Sequence, residues 1–470
     1  MKPLTYRTLW GFGAGNLGFG LISQIMAAYL VFYATAILGM SGASVGLLIS
    51  IGIIWDAFSD PIMGYLSDHT RSDRFGRRHL YLLIGGIGVT VLHVFLWNLS
   101  REMEGNVKWF LMVFYVMSIK TFMTIYITPY TALAAEISDD YTDRTRIQAV
   151  KTIFFLIGLF LATAFGMAIF FRGTLLYPIG QLNPAGYKNM SIFGSALMLL
   201  SMSFAYRSTK HLVPELNARL LSNQSLSFTA FFKEMAMAFS NLDFRSVVIG
   251  YLFANIASAL ISTLALHVYT FTFHMNNNGI ALIVGIQLMA SILSQPFWIR
   301  YSDKYEKKKA VHTGILIAIV GSLYFVACVY FKSYVHTNVL LLIPFGALAG
   351  FGTGGLFTMP QAMVADTVDS NAIVTGKRQE GVFYGTLTLC YKLSQSIAIF
   401  LLGIALDYLR FNPDLPVQSE FTAIGLALLL SLGSIVSFAF AYISYRPYSL
   451  SRAKMSDIHH QIDLMKASIK

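Results

Sequence analysis

Apolar residues run along this chain in repeated blocks of roughly the twenty residues that a helix needs to cross a bilayer, separated by short polar segments. The pattern predicts twelve membrane-spanning helices, at residues 10–38, 43–67, 80–99, 108–134, 149–171, 190–206, 246–273, 279–299, 311–331, 338–365, 382–407 and 419–444. The second block breaks its own pattern. Asp56 and Asp60 stand inside it, four residues apart, which in a helix places both carboxylates on one face about a turn from each other. A charge at bilayer depth costs at least ~2.5 kcal/mol on insertion scales, so such residues point to a function. A pair of buried acids on one helical face is what holding a small cation or moving a proton inside a membrane requires.

Composition agrees with an all-α integral membrane protein: 56% of residues are hydrophobic and 12% charged. Positive charge sets the orientation, because short cytoplasmic loops keep Lys and Arg while exported ones lose them. Of 34 Lys and Arg, six (Arg101, Lys108, Arg172, Lys188, Lys332 and Arg410) fall in the loops of one face, and Lys120 and Lys392 fall inside spans. The rest lie with the termini, so both termini are expected in the cytoplasm, in a plasma or inner membrane. The net charge of +11 is then topology and no sign of nucleic-acid binding. Lys2 and Arg7 precede a first span too long for a signal peptide, with no small-residue cleavage site after it, so no removable segment is expected. Cys328 and Cys390, both within spans, read as small apolar residues.

The longest polar connection divides six spans from six. The expected organisation is an N-terminal bundle (1–206), a linker (207–245) with an amphipathic stretch around 228–239, a C-terminal bundle (246–445) and a tail (446–470). An internal echo supports two repeats. Ser67-Asp68 is followed by Arg71, Arg74, Arg77 and Arg78 after the second span, and Ser302-Asp303 is followed by Lys304 and Lys307 to Lys309 after the eighth. Parallel six-span repeats are the plan of transporters that rock two bundles about a central substrate site. Glycines inside the spans, such as Gly11, Gly13, Gly15, Gly18 and Gly20, fit close helix packing or, alternatively, breaks between moving half-helices.

The stretch Trp55-Asp56-Ala57-Phe58-Ser59-Asp60-Pro61-Ile62-Met63-Gly64 with Arg74-Phe75-Gly76-Arg77-Arg78 resembles the glycoside-pentoside-hexuronide cation symporters of the major facilitator superfamily. The likeness continues through Ala134 to Arg146 after the fourth span, Ala365-Asp366-Thr367-Val368-Asp369, and Thr375-Gly376-Lys377-Arg378-Gln379-Glu380-Gly381 with Tyr384-Gly385. The resemblance implies the major facilitator fold of two six-helix bundles and uptake of a small solute driven by Na⁺, Li⁺ or H⁺. By position, it assigns the coupling cation to Asp56 and Asp60, with Ser59 in place of an assisting Asn, Thr124 completing the site and Lys392 near it. The acids that grip the galactosyl group in melibiose carriers fall on Gly18 and Ile127, so the α-galactoside grip is absent. The family's relatives include lysophospholipid symporters, and the cargo is expected to be another glycoside, a pentoside, a hexuronide or something amphiphilic.

Oxygen ligands suit Na⁺ as a hard ion, and two carboxylates with the Ser59 and Thr124 hydroxyls supply four. With one acid protonated, the same site carries a proton; an ion-paired brace between helices is the plainer alternative. Lys120, one turn before Thr124, either extends its stem to an interface or pairs with one acid as a tethered cation. Lys392 is expected to couple the halves by pairing with the first-half acids, or to act only as a counter-ion. Asn16, Tyr29, Tyr126, Thr388 and Gln395 are candidates for a substrate cavity, although hydrogen bonds between helices account for such residues equally well. Asp68, Arg77, Arg78, Glu136, Asp143 and Arg144 are candidates for a loop-side gate. No enzyme motif is present, and no cofactor beyond the coupling ion is expected. The expected partners are a small-molecule substrate and the lipid bilayer, with the protein a monomer. The alternatives to a solute symporter are a lysolipid transporter of the same superfamily and a non-transporting membrane sensor.

Overall fold

The computed structural model describes residues 5–70, 72, 75–137, 141–214, 235–375 and 380–469, and these form helices joined by short connections. The long helices are α1 (Tyr6–Phe32), α2 (Gly42–His69), α3 (His79–Leu96), α4 (Gly105–Glu136), α5 (Tyr141–Phe160), α6 (Pro184–Thr209), α7 (Leu242–Phe271), α8 (Asn277–Leu293), α9 (Lys307–Tyr330), α10 (Ile343–Thr375), α11 (Glu380–Tyr408), α12 (Glu420–Ser444) and α13 (Arg452–Ile469), with shorter helical pieces between them. Polar residues just ahead of the apolar blocks start several of them. Thr5, Ser41, Asn183, Asn241 and Ser419 each accept a backbone N–H of the first turn and so satisfy donors the helix itself cannot. Most of the amphipathic linker stretch expected near 228–239 lies outside the described residues.

Eleven of the described helices are long and apolar enough to cross a membrane, and twelve spans result when α8 and the segment Gln295–Tyr305 count as one. That eighth span departs from the single straight helix expected at 279–299: it bends by 41°. Pro296 sits in the first turn after the break and removes a backbone donor. The Gln295 amide and the Ser294 hydroxyl both bond the Ser291 carbonyl there.

The chain packs as two units. One comprises residues 1–225 with 275–282 and 403–417, the other 226–274, 283–402 and 418–470. In the first, α1 packs on α5 and α6, α3 on α4 and α6, and α2 on α4. In the second, α7 packs on α12, and α9 on α10 and α12. The pairs 1–6, 3–4 and 3–6 thus recur as 7–12, 9–10 and 9–12, a six-helix repeat. The fourth helix of each repeat contains a proline, Pro129 in α4 and Pro360 in α10.

The two short pieces of later sequence are tied into the first unit by polar contacts. Asp407 accepts from the Ser41 hydroxyl and the Gly42 and Ala43 amides at 2.8–3.0 Å, crowning the start of α2. Gln181 donates to the Met275 carbonyl at 3.1 Å.

Glycine permits close helix approach in this unit. A Cβ on Gly158 of α5 would lie 2.4 Å from the Leu17 carbonyl oxygen of α1. Because the obstacle is backbone, Gly158→Val is expected to pry α1 from α5 and destabilise the unit by about 1–3 kcal/mol. A fall in the thermal unfolding midpoint of the detergent-purified protein is the measurement that checks this.

Candidate functional site

The site is built on two helices, α2 and α4, held in one register. The two acids of α2 each meet a polar residue 64 positions later on α4. The Lys120 ammonium donates to Asp56 Oδ2 at 3.0 Å, and the Thr124 hydroxyl donates to Asp60 Oδ1 at 2.8 Å. A turn further along, Thr128 is the neighbour of Gly64. Asp56 is the fifteenth residue of α2, and Lys120 the sixteenth of α4, so at 1.5 Å per residue both stand roughly 20 Å into their helices, near the middle of a span.

Ser59 completes the cluster. Its hydroxyl donates to Thr124 Oγ1 at 3.3 Å, so a chain of donors runs from Ser59 through Thr124 to the Asp60 carboxylate. Ser59 and Thr124 are buried, whereas Asp56 and Asp60 are half-buried and retain some exposure. That combination suits an ion site: the hydroxyl oxygens are fixed by packing, while the carboxylates keep some exposure. Trp55 frames the cluster from outside, its indole N–H donating to Thr121 Oγ1 at 3.0 Å.

Lys120 does not run out to an interface. Its side chain is 20% exposed and that of Asp56 15%, and the ammonium ends on the carboxylate. Of the two expectations for this lysine, pairing is the one the geometry realises.

The loop-side candidates also converge. Arg77 and Arg78 both place a guanidinium nitrogen 2.9 Å from Glu136 Oε1, and Arg78 also donates to the Ser67 hydroxyl. Arg78 is buried, an arrangement that needs the carboxylate. Asp143 sits 3.5 Å from Arg146 on its own helix. The side chains of Asp68 and Arg144 lie outside the described residues. The second unit repeats the clasp with other residues: Lys307 holds both oxygens of Asp366 at 2.7 Å, and the Tyr448 hydroxyl donates to Asp366 Oδ2 at 2.9 Å. Burial and the Asp366 charge push the Tyr448 phenol well above its usual value, keeping it a donor.

Two expected cavity residues are instead braces. Tyr126 is fully buried with its hydroxyl on the Gly15 carbonyl at 2.8 Å, and Tyr29 is buried with its hydroxyl on the Ala162 carbonyl at 2.9 Å. Neither presents an atom to a cavity, because the hydroxyl each carries is used where two helices cross. Asn16 is buried as well and donates to the Lys151 carbonyl at 3.1 Å. Thr388 is exposed on α11 with its hydroxyl returned to the Tyr384 carbonyl, while Gln395 and Lys392 are half-buried on the same helix.

Lys151 and Tyr130 escaped the reading of the sequence. Lys151, counted among the loop charges, is buried with its ammonium 5.1 Å from the centre of the Tyr130 ring. The signal was its position directly before the apolar run from Ile153. At Gly18, where melibiose carriers hold an acid, a Cβ would stand 2.6 Å from Met198 Cα, so this packing has no room for a carboxylate.

Comparison with known proteins shows the family and the fold. A family model described as MFS/sugar transport protein matches residues 11–452. The chain belongs to that family. Among its relatives, the "Uncharacterized symporter sll1374" of Synechocystis is 25% identical, covering 98% of this chain and 97% of the relative. The "Sodium-dependent lysophosphatidylcholine symporter 1-A" of Danio rerio is 21% identical over 97% of this chain and 89% of the relative. Two solved structures share the fold at 14% identity: the nucleoside transporter NupG, with a TM-score of 0.61 over 95% of this chain and 100% of that one, and a proton-dependent oligopeptide transporter, with 0.62 over 96% and 99%. The major facilitator fold and membership of a symporter family therefore stand, consistent with the likeness to glycoside-pentoside-hexuronide symporters. A non-transporting sensor has no counterpart among these relatives, which carry symporter names along their whole length.

Glu136 is the shared acceptor of two arginines, so its neutralisation leaves buried positive charge uncompensated. Glu136→Gln is expected to cost about 3 kcal/mol, as breaking a buried ion pair does, and to lower the unfolding midpoint. The double variant Arg78→Gln/Glu136→Gln is expected to recover part of that loss, a coupling that a double-mutant cycle measures.

Proposed function

We propose that this protein is a cation-coupled secondary symporter of a small solute, working by alternating access in a plasma or inner membrane with both termini in the cytoplasm. The observation that carries the reading is the half-buried acidic pair Asp56 and Asp60, set at mid-span against the Ser59 and Thr124 hydroxyls. Such a cluster has no use in a passive pore but suits an ion whose binding changes the preference between two facing states. The bias of Lys and Arg toward the loops of the terminal face supports the orientation. Sodium, lithium or protons are the candidate coupling ions, and Lys392 on α11 is the candidate partner through which the second repeat senses the site.

A glycoside, pentoside or hexuronide is the substrate class the family points to. A lysophospholipid is the second reading, favoured by the zebrafish relative's name and by the absence of room for a sugar-gripping acid at Gly18.

Proteoliposomes supplied with radiolabelled glycosides, uronides and lysophosphatidylcholine, under imposed Na⁺, Li⁺ or H⁺ gradients, test the reading. One gradient is expected to drive accumulation of one class, and Asp60→Asn to cut that accumulation by about tenfold or more while substrate exchange at equilibrium persists. Accumulation that survives both Asp56→Asn and Asp60→Asn would overturn the assignment.

A further inference from the structure

We propose that Lys120 is a built-in occupant of the cation site and makes this symporter refuse Na⁺ and Li⁺. The inference rests on the proposed cation site and narrows its ion. Two acids and two hydroxyls on facing helices form a donor set suited to an alkali ion, but the chain has placed a positive charge of its own against them. The Lys120 ammonium lies 3.0 Å from Asp56 Oδ2, with little exposure on either side chain. One turn along each helix, Thr124 holds Asp60.

The effect on an entering ion is both steric and electrostatic. An ammonium at hydrogen-bond distance takes a coordination position on Asp56 that Na⁺ would need. Its charge also stands within a few ångströms of wherever an ion shared by the two acids would sit. At an effective dielectric near that of a protein surface, two like unit charges about 4 Å apart weaken binding by about a thousandfold. Unlike a bound ion, the ammonium cannot leave, because its four-carbon stem is anchored at mid-helix beside Gly52 of α2.

A lysine acting only as a structural partner would predict no more than lost stability on its removal. A lysine occupying an ion site predicts a gain: without it, the site should accept sodium. The placement of Trp55 supplies a reporter, since its indole is tied to Thr121 next to Lys120.

The test uses the detergent-purified full chain, with NaCl and LiCl as probes against choline chloride at equal ionic strength, read by tryptophan fluorescence and by thermal midpoint. The wild-type protein is expected to show no sodium-specific change. Lys120→Met and Lys120→Ala are expected each to acquire a saturable sodium response, which the added substitution Asp60→Asn removes. Both readouts report on folded protein, and two substitutions guard against one that fails to fold. A saturable sodium response in the wild-type protein would overturn the inference while leaving the proposed cation site intact. Silence in both folded lysine variants would overturn it as well. Failure of the cation site itself is read separately, from gradient-driven accumulation in the Asp60→Asn protein.

Discussion

The α2–α4 register is the constraint on which the rest of the site depends. Carboxylates at mid-span are tolerable only where charge or hydrogen-bond donors meet them, and a constant offset of 64 residues brings Lys120 to Asp56 and Thr124 to Asp60. Shifting either helix by one turn in either direction would take Lys120 away from Asp56 and break the ion pair. The Asp56–Lys120 pair therefore helps fix the register of the two helices. The tyrosine braces around it, Tyr126 and Tyr130 on carbonyls of α1, hold α4 from the other side.

The same logic recurs at the loop-side ends of the helices. In each repeat, a basic cluster between the second and third spans folds back onto a carboxylate near the end of the fourth: Arg77 and Arg78 on Glu136, and Lys307 on Asp366. The chemistry is not identical. Two guanidiniums share one oxygen in the first repeat, whereas in the second one ammonium spans both oxygens with help from Tyr448. A point charge and a planar fork hold a carboxylate with different stringency, so the two clasps are not equivalent in strength or in what loosens them.

The placement of Lys120 gives the site a character that its motif does not. Trp55 to Gly64 carries the two acids, yet the residue that meets the first of them comes from a different helix with its own charge. The segments 275–282 and 403–417 make a comparable point about the fold. Although they belong by sequence to the second repeat, they pack in the first unit, where Asp407 crowns α2 by satisfying amides that the start of a helix leaves open. Sequence neighbours and packing neighbours diverge at both places.

Much of this protein is legible in its sequence because lipid imposes a one-dimensional code. The need to satisfy every backbone group inside a bilayer makes each long apolar block a helix, so the spans, the six-plus-six repeat and the exceptional status of Asp56 and Asp60 follow from residue order alone. What residue order does not contain is the rotation and offset of one helix against another. Tyr126 and Tyr29 looked equally suited to line a cavity or to brace helices, and Lys120 to seek an interface or an acid. Lys151 looked like a loop charge but lies beneath Tyr130. Each of those outcomes was decided by which face a helix turns to which neighbour. That orientation is settled by packing summed over whole helices, down to the glycines where backbones touch, and no local stretch of sequence carries it.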